Sequence, residues 1–186
     1  MVFAKAFGAK VIAVDINNKR LKLAEEFGAD YIINSKNDEI VEDVYEVSAG
    51  IPISSMLSVK KIYDITNGIG ASAVVLGTGN IQARINAIDC ASKGGRVVLM
   101  GMSEGINVSG NLQKSLEVVI LKELKTFGSN VFPINMYWEI IKFIKLNKIS
   151  IGKIITDQFS IDDCQEAFAL ADTESVGKVA IVWDYL

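Results

Sequence analysis

Asp15 closes the short β-branched run Val11 to Val14, and the next segment repeats Leu21, Leu23, Ala24 and Phe27 at helical spacing up to Gly28. An acid at the carboxyl end of a strand that leads into a helix is where the paired hydroxyls of a nucleotide ribose are accepted. An aspartate in that place also serves as an N-cap for the helix, and residue type alone leaves both roles open. Arg20 either lies over an adenosine ribose or is an ordinary solvated helix residue. Glycine-rich turns, which bring backbone N–H groups to a pyrophosphate, have two candidates. Gly68 to Ala73 has the letters G-x-G-x-x-A but precedes a strand where the motif must follow one. Gly77-Thr78-Gly79-Asn80 is better placed, after the run Ala73 to Leu76 and before a helix, yet Gln82 stands where the third glycine belongs. The chain has no histidine, the commonest zinc ligand and the usual neutral-pH proton shuttle, so imidazole chemistry must come from elsewhere.

The elements that would hold these residues alternate between strand and helix period, which argues for an α/β sheet with crossover helices. The pattern predicts strands at Val11 to Val14, Tyr31 to Ile33, Ala73 to Leu76, Arg96 to Met100, Leu124 to Asn130, Ile154 to Ile155 and Val179 to Trp183. Helices are expected from Asp38 to Val47, from Met56 to an αL cap at Asn67-Gly68, from Ile81 to Ala91, from Leu116 to Glu123, along Tyr137 to Ile144, and after Ser160 with Asp163 as capping partner. Ser48 to Ser58 carries no charge and contains Pro52, which should stop the helix before it.

Composition narrows the function classes. A chain of 186 residues, 50% hydrophobic and 22% charged, buries a real core. With 19 Lys+Arg against 22 Asp+Glu there is no basic excess for a nucleic-acid partner. The longest uncharged run, Ile65 to Ala83, is too diluted by Asn67, Gln82 and glycines to span a membrane, and the N-terminal residues lack the order of a secretory signal. Cys90 and Cys164 form no CxxC pair, so neither a disulfide framework nor a thiolate metal site is indicated and a cytoplasmic setting is expected.

Six blocks carry a family resemblance: AKAFGAKVIAVDINNKRLKLAEEFGADYIIN, ITNGIGASAVVLGTGN, ASKGGRVVLMGMSEG, LKELKTFGSN, ITDQFSIDDCQEAFALAD and GKVAI. In this order they resemble the C-terminal half of the zinc-dependent medium-chain alcohol dehydrogenases, most of all the polyol, butanediol and threonine dehydrogenases. The resemblance implies a Rossmann-like, doubly wound parallel sheet for NAD at residues 1 to 131 with its first strand missing. A C-terminal α+β segment, 132 to 186, in the family completes the catalytic domain. It also implies that the zinc-bearing domain and the first strand with its glycine-rich turn are absent from this chain, so that zinc belongs to the absent domain and the isolated chain is not expected to be catalytic. Carried over by position, Asp15 is the ribose acid with Arg20 assisting and Ile16 on the adenine side, while Thr78, Gly79, Gly101, Met102 and Ser129 line the nicotinamide half. Asp15 would repel a 2′-phosphate, so NAD is expected over NADP, bound weakly or not at all in this fragment.

Three further expectations follow. The strand Leu124 to Asn130 lies where the family's sheet edge pairs across a dimer, implying a homodimer. With the first strand missing, the strands ending at Asp15 and Leu76 should close directly on each other, or Ile51 to Val59, whose apolar residues alternate at strand period, should fill the gap. The rival readings are a non-catalytic nucleotide-binding or interaction module, a remnant or mis-started gene, and a doubly wound methyltransferase, against which the blocks after Val97 argue.

Overall fold

Each β-branched run that leads into a helix-period segment becomes the first strand of a βαβ crossover, because a parallel neighbour can be reached only through a long connection. The structure is a computed structural model describing residues 1–47, 51–101, 110–130, 134–173 and 176–183. These fall into two units, Met1–Lys36 with Pro133–Leu186, and Asn37–Phe132.

The first unit opens with a short helix, α1 (Val2–Ala6), then β1 (Ile12–Asp15), α2 (Asn18–Glu26) and β2 (Tyr31–Asn34). β1 and β2 are parallel, in register from Ile12↔Tyr31 to Asp15↔Asn34. Asn17 caps α2 by accepting from the Lys19 N–H, and Gly28 beyond its C-terminus has φ +87°, the left-handed conformation expected of a helix-ending glycine. Leu21 and Ile33 are buried. The Asp30 carboxylate accepts from Lys5 Nζ and the Val11 N–H, both at 2.7 Å, which ties α1 to the start of β1; the Lys5 bond is the main cause of its lowered pKa.

The second unit begins with an antiparallel pair, β3 (Ile40–Val47) and β4 (Ile51–Met56). The helix expected from Asp38 to Val47 is therefore a strand. Its β-branched and aromatic residues suit either period, and a partner strand close in sequence costs little loop-closure entropy, so the hairpin wins. Next come α3 (Leu57–Ile65), β5 (Ala71–Leu76), α4 (Ile81–Asp89), β6 (Ala91–Leu99), α5 (Gly110–Leu121) and β7 (Lys125–Gly128). The turn after α3 is the αL pair read from the sequence, with Asn67 at φ +53° and Gly68 at φ +79°. β5, β6 and β7 form one parallel sheet with β6 in the middle. Ala87, Ile88, Ala91, Val97, Val118 and Leu124 are the buried core of α4, α5 and this sheet. Each large member contributes about 1.5–3 kcal/mol by leaving water.

That core contains a cation. Lys122 is 1% exposed, and its ammonium donates to the Tyr63 hydroxyl (2.9 Å) and to the carbonyls of Asp89 and Ala91, binding the C-terminal ends of α3 and α4 to the start of β6. Burial lowers the pKa of Lys122 and pushes Tyr63 and Cys90 up to about 12.

The remainder of the first unit is a 3-10 turn (Ile134–Met136), α6 (Tyr137–Leu146), a second such turn (Ile151–Ile154), β8 (Ile155–Ser160), α7 (Cys164–Asp172) and β9 (Lys178–Val182). β8 and β9 are parallel, and Phe143 of α6 stacks on Phe7 and Phe3 at centroid distances of 4.6 and 6.1 Å. The last helix starts later than the sequence predicts. Ser160 ends β8 and its hydroxyl donates to Asp163 (2.7 Å), but Asp163 is the N-cap and makes no side-chain bond to the helix. No helix among the described residues is long and apolar enough to cross a membrane.

Ile51 to Val59 does not supply a parallel strand: its strand part, β4, pairs antiparallel with β3. Each parallel pair is completed by its own local crossover. Replacing Lys122 by Met leaves the Tyr63 O–H as the remaining side-chain donor, among the described residues, to the carbonyls of Asp89 and Ala91 and should lower the unfolding free energy by about 2–3 kcal/mol in urea titration; an unchanged midpoint would contradict a structural role for the buried ammonium.

Candidate functional site

In the first unit the expected residues gather where β1 runs out. The Asp15 carboxylate accepts from the Asn17 N–H (2.8 Å), from Arg20 Nε (2.8 Å) and from Arg20 Nη2 (2.7 Å), so the guanidinium grips it with two donors. Both side chains are 29% exposed. Burial pushes the Asp15 pKa up, but the Arg20 hydrogen bond and charge and the Asn17 N–H outweigh it, and the net shift is downward. The group is ionised at neutral pH. Because it is part-exposed, the ion pair adds only about 0.5–1 kcal/mol to stability. The N-cap role is filled by Asn17, not by Asp15, and Arg20 turns back onto the carboxylate instead of standing free in solvent. A carboxylate has about four lone-pair directions, so Oδ2, which accepts one of these three bonds, keeps room for another donor such as a hydroxyl. Ile16 is 57% exposed beside it.

The second unit gathers the rest at the carboxyl ends of its strands. Leu76, Leu99 and Gly128 are in register across β5, β6 and β7. The loops that follow therefore leave the sheet at one end. After β5, Thr78 Oγ1 accepts from the Asn80 N–H (3.2 Å), and the Asn80 side chain caps α4 by accepting from the Ala83 N–H (3.0 Å). After β6, Gly101 lies so close to Thr78 that an added Cβ would overlap the Thr78 backbone. Only glycine fits there. After β7, the Ser129 N–H donates to the Leu99 carbonyl (2.9 Å). Thr78, Gly79, Gly101 and Ser129 are thus brought to one end of the sheet, and Met102 lies outside the described residues.

Sequence reasoning missed Arg84. It sits in the first turn of α4, and its Nη2 donates to the Gly101 carbonyl (2.8 Å). Its Nε is buried without a hydrogen-bond partner among the described residues. A buried unsatisfied donor costs about 1–3 kcal/mol, and such costs concentrate at functional sites. The available signal was a cation one turn after a glycine-rich loop.

Zinc does not fit this chain's described residues. No three of His, Cys, Asp and Glu converge, the sequence has no histidine, and the Cys90 thiol is buried and held protonated with its pKa near 12. An open cavity of about 230 Å³ lies along α2, lined in part by Lys19, Arg20, Leu23, Thr156 and Gly177. It shares only Arg20 with the expected set.

A sequence profile described as zinc-binding dehydrogenase matches residues 1–145. The chain belongs to the zinc-binding dehydrogenase family. Among relatives in that family it is 27% identical over 185 residues to an L-threonine 3-dehydrogenase of Stenotrophomonas maltophilia, covering 97% of this chain and 46% of that protein. The L-threonine 3-dehydrogenase of Pyrococcus furiosus is also 27% identical, over 183 residues, with 96% and 46% covered. The chain thus spans about half the length of the relatives it matches. Among solved structures, an alcohol dehydrogenase of Thermotoga maritima aligns with a TM-score of 0.76 at 26% identity, over 96% of this chain and 44% of that one. An Escherichia coli alcohol dehydrogenase described in complex with NADH aligns with a TM-score of 0.70 at 22% identity, over 98% and 48%, and so speaks to fold alone. The α/β architecture with parallel sheets is that of these dehydrogenases.

Proposed function

We propose that this chain is the NAD-binding portion of a zinc-type alcohol or polyol dehydrogenase, whose reaction is hydride transfer between a secondary alcohol and NAD. The observation that carries the reading is Asp15: an ionised carboxylate at the end of β1, fixed by Arg20 and the Asn17 N–H, relieved of helix capping and with acceptor capacity on Oδ2. In this role Asp15 accepts the adenosine ribose hydroxyls and repels a 2′-phosphate, Arg20 fixes the carboxylate, and Ile16 offers an apolar surface to the adenine. In the second unit Thr78, Gly79, Gly101, Met102 and Ser129 serve the nicotinamide half, largely through backbone groups. Zinc, when bound by a part of the enzyme with the right donors, polarises the alcohol oxygen; no residue described here takes part in that step.

Two experiments test the reading. In ligand-observed NMR the chain should bind NAD at about millimolar affinity and prefer it to NADP. Asp15→Asn should weaken NAD binding on the order of tenfold and abolish the preference, whereas binding indifferent to this substitution would contradict the assignment. Separately, β7 pairs only with β6 among the described strands and Phe127 on it is half exposed, which supports a homodimer formed through this edge. Sedimentation should show dimers that Thr126→Pro dissociates; a monomer at high concentration would overturn the dimer.

A further inference from the structure

We infer that Arg84 is a positioning residue for the nicotinamide side, setting the Gly101 carbonyl and with it the spacing between Thr78 after β5 and Gly101 after β6. The inference rests on the nucleotide-binding reading above and adds to it a residue outside the set expected from the sequence. The geometry is specific. The Arg84 guanidinium reaches from the first turn of α4 to the Gly101 carbonyl at 2.8 Å, and Gly101 packs against the Thr78 backbone with no space for a side chain. Thr78 is locked in turn, since its hydroxyl accepts from the Asn80 N–H and Asn80 caps the helix that carries Arg84. The contacts form a closed ring: α4 to Gly101 through Arg84, Gly101 to Thr78 through van der Waals contact, and Thr78 back to α4 through Asn80.

A packing role would be met more cheaply by an apolar side chain, because among the described residues Arg84 buries its Nε without a partner while its Nη2 bonds the Gly101 carbonyl. A strongly hydrogen-bonding group held at that cost fixes the direction of a backbone carbonyl, as required where a ligand is met mainly by backbone groups. The guanidinium is planar and rigid, so holding Gly101 through Nη2 leaves that carbonyl little freedom of direction.

The experiment compares the two halves of the dinucleotide on the full chain. Reduced nicotinamide mononucleotide probes the second unit and AMP probes the Asp15 side, both followed by saturation-transfer NMR, on wild type, Arg84→Ala and Arg84→Lys. The expected result is that R84A weakens mononucleotide binding about tenfold or more, leaves AMP binding unchanged and melts within about 2 °C of wild type, while R84K recovers part of the loss. Unchanged mononucleotide binding in R84A, or equal loss of both ligands with a lowered melting temperature, would overturn the positioning role and leave the nucleotide reading in place. If wild type binds AMP alone, the positioning role fails and the Asp15 assignment stands; if it binds neither, both fail.

Discussion

Parallel pairing is the constraint on which the candidate site depends. A parallel strand cannot fold directly back beside its neighbour; it must leave the sheet at its carboxyl end, cross over through a helix and return to the far end. The register Leu76↔Leu99↔Gly128 therefore delivers the loops after β5, β6 and β7 to a common edge, and the register Asp15↔Asn34 does the same for β1 and β2. Nothing in the local chemistry of Thr78, Gly101 or Ser129 would bring them together, since they are far apart in the chain. The buried Lys122 ammonium supports the same arrangement from the other end of the sheet by holding the carbonyls of Asp89 and Ala91 where β6 begins.

Electrostatics then separates the roles within each loop. Asp15 is a carboxylate that burial would tend to protonate and that Arg20 keeps ionised, so its negative charge is pinned at one spot instead of sweeping through solvent. Helix capping, which competes for aspartate at such positions, is carried by Asn17 in one unit and Asn80 in the other. That division leaves Asp15 out of helix capping and leaves Gly101, with no space for a side chain, to set how closely its backbone approaches Thr78.

Much of this was legible in the sequence because it is local. The strand ending at Asp15, the αL turn at Asn67-Gly68 and the crossover from β5 to β6 each follow from periodicity and turn chemistry within a short window. The hairpin at Ile40–Val47 was not, since Ile40, Val41, Val44 and Tyr45 satisfy a helical face as well as a strand and only the pairing partner decides. Arg84 and Lys122 were invisible as buried groups, because a charged letter in a sequence carries no signal of burial until distant segments close over it.

Whether Asp15 receives a ribose is the central question, and backbone NMR of the labelled chain titrated with AMP addresses it most directly. The Ile16 and Asn17 amides and the Arg20 Nε–H flank the carboxylate and should report a hydroxyl arriving at Oδ2. The expected result is saturating shifts at these three groups that vanish in Asp15→Asn. Shifts confined to other parts of the chain, or none at AMP concentrations up to tens of millimolar, on the order of ten times the expected dissociation constant, would contradict the assignment.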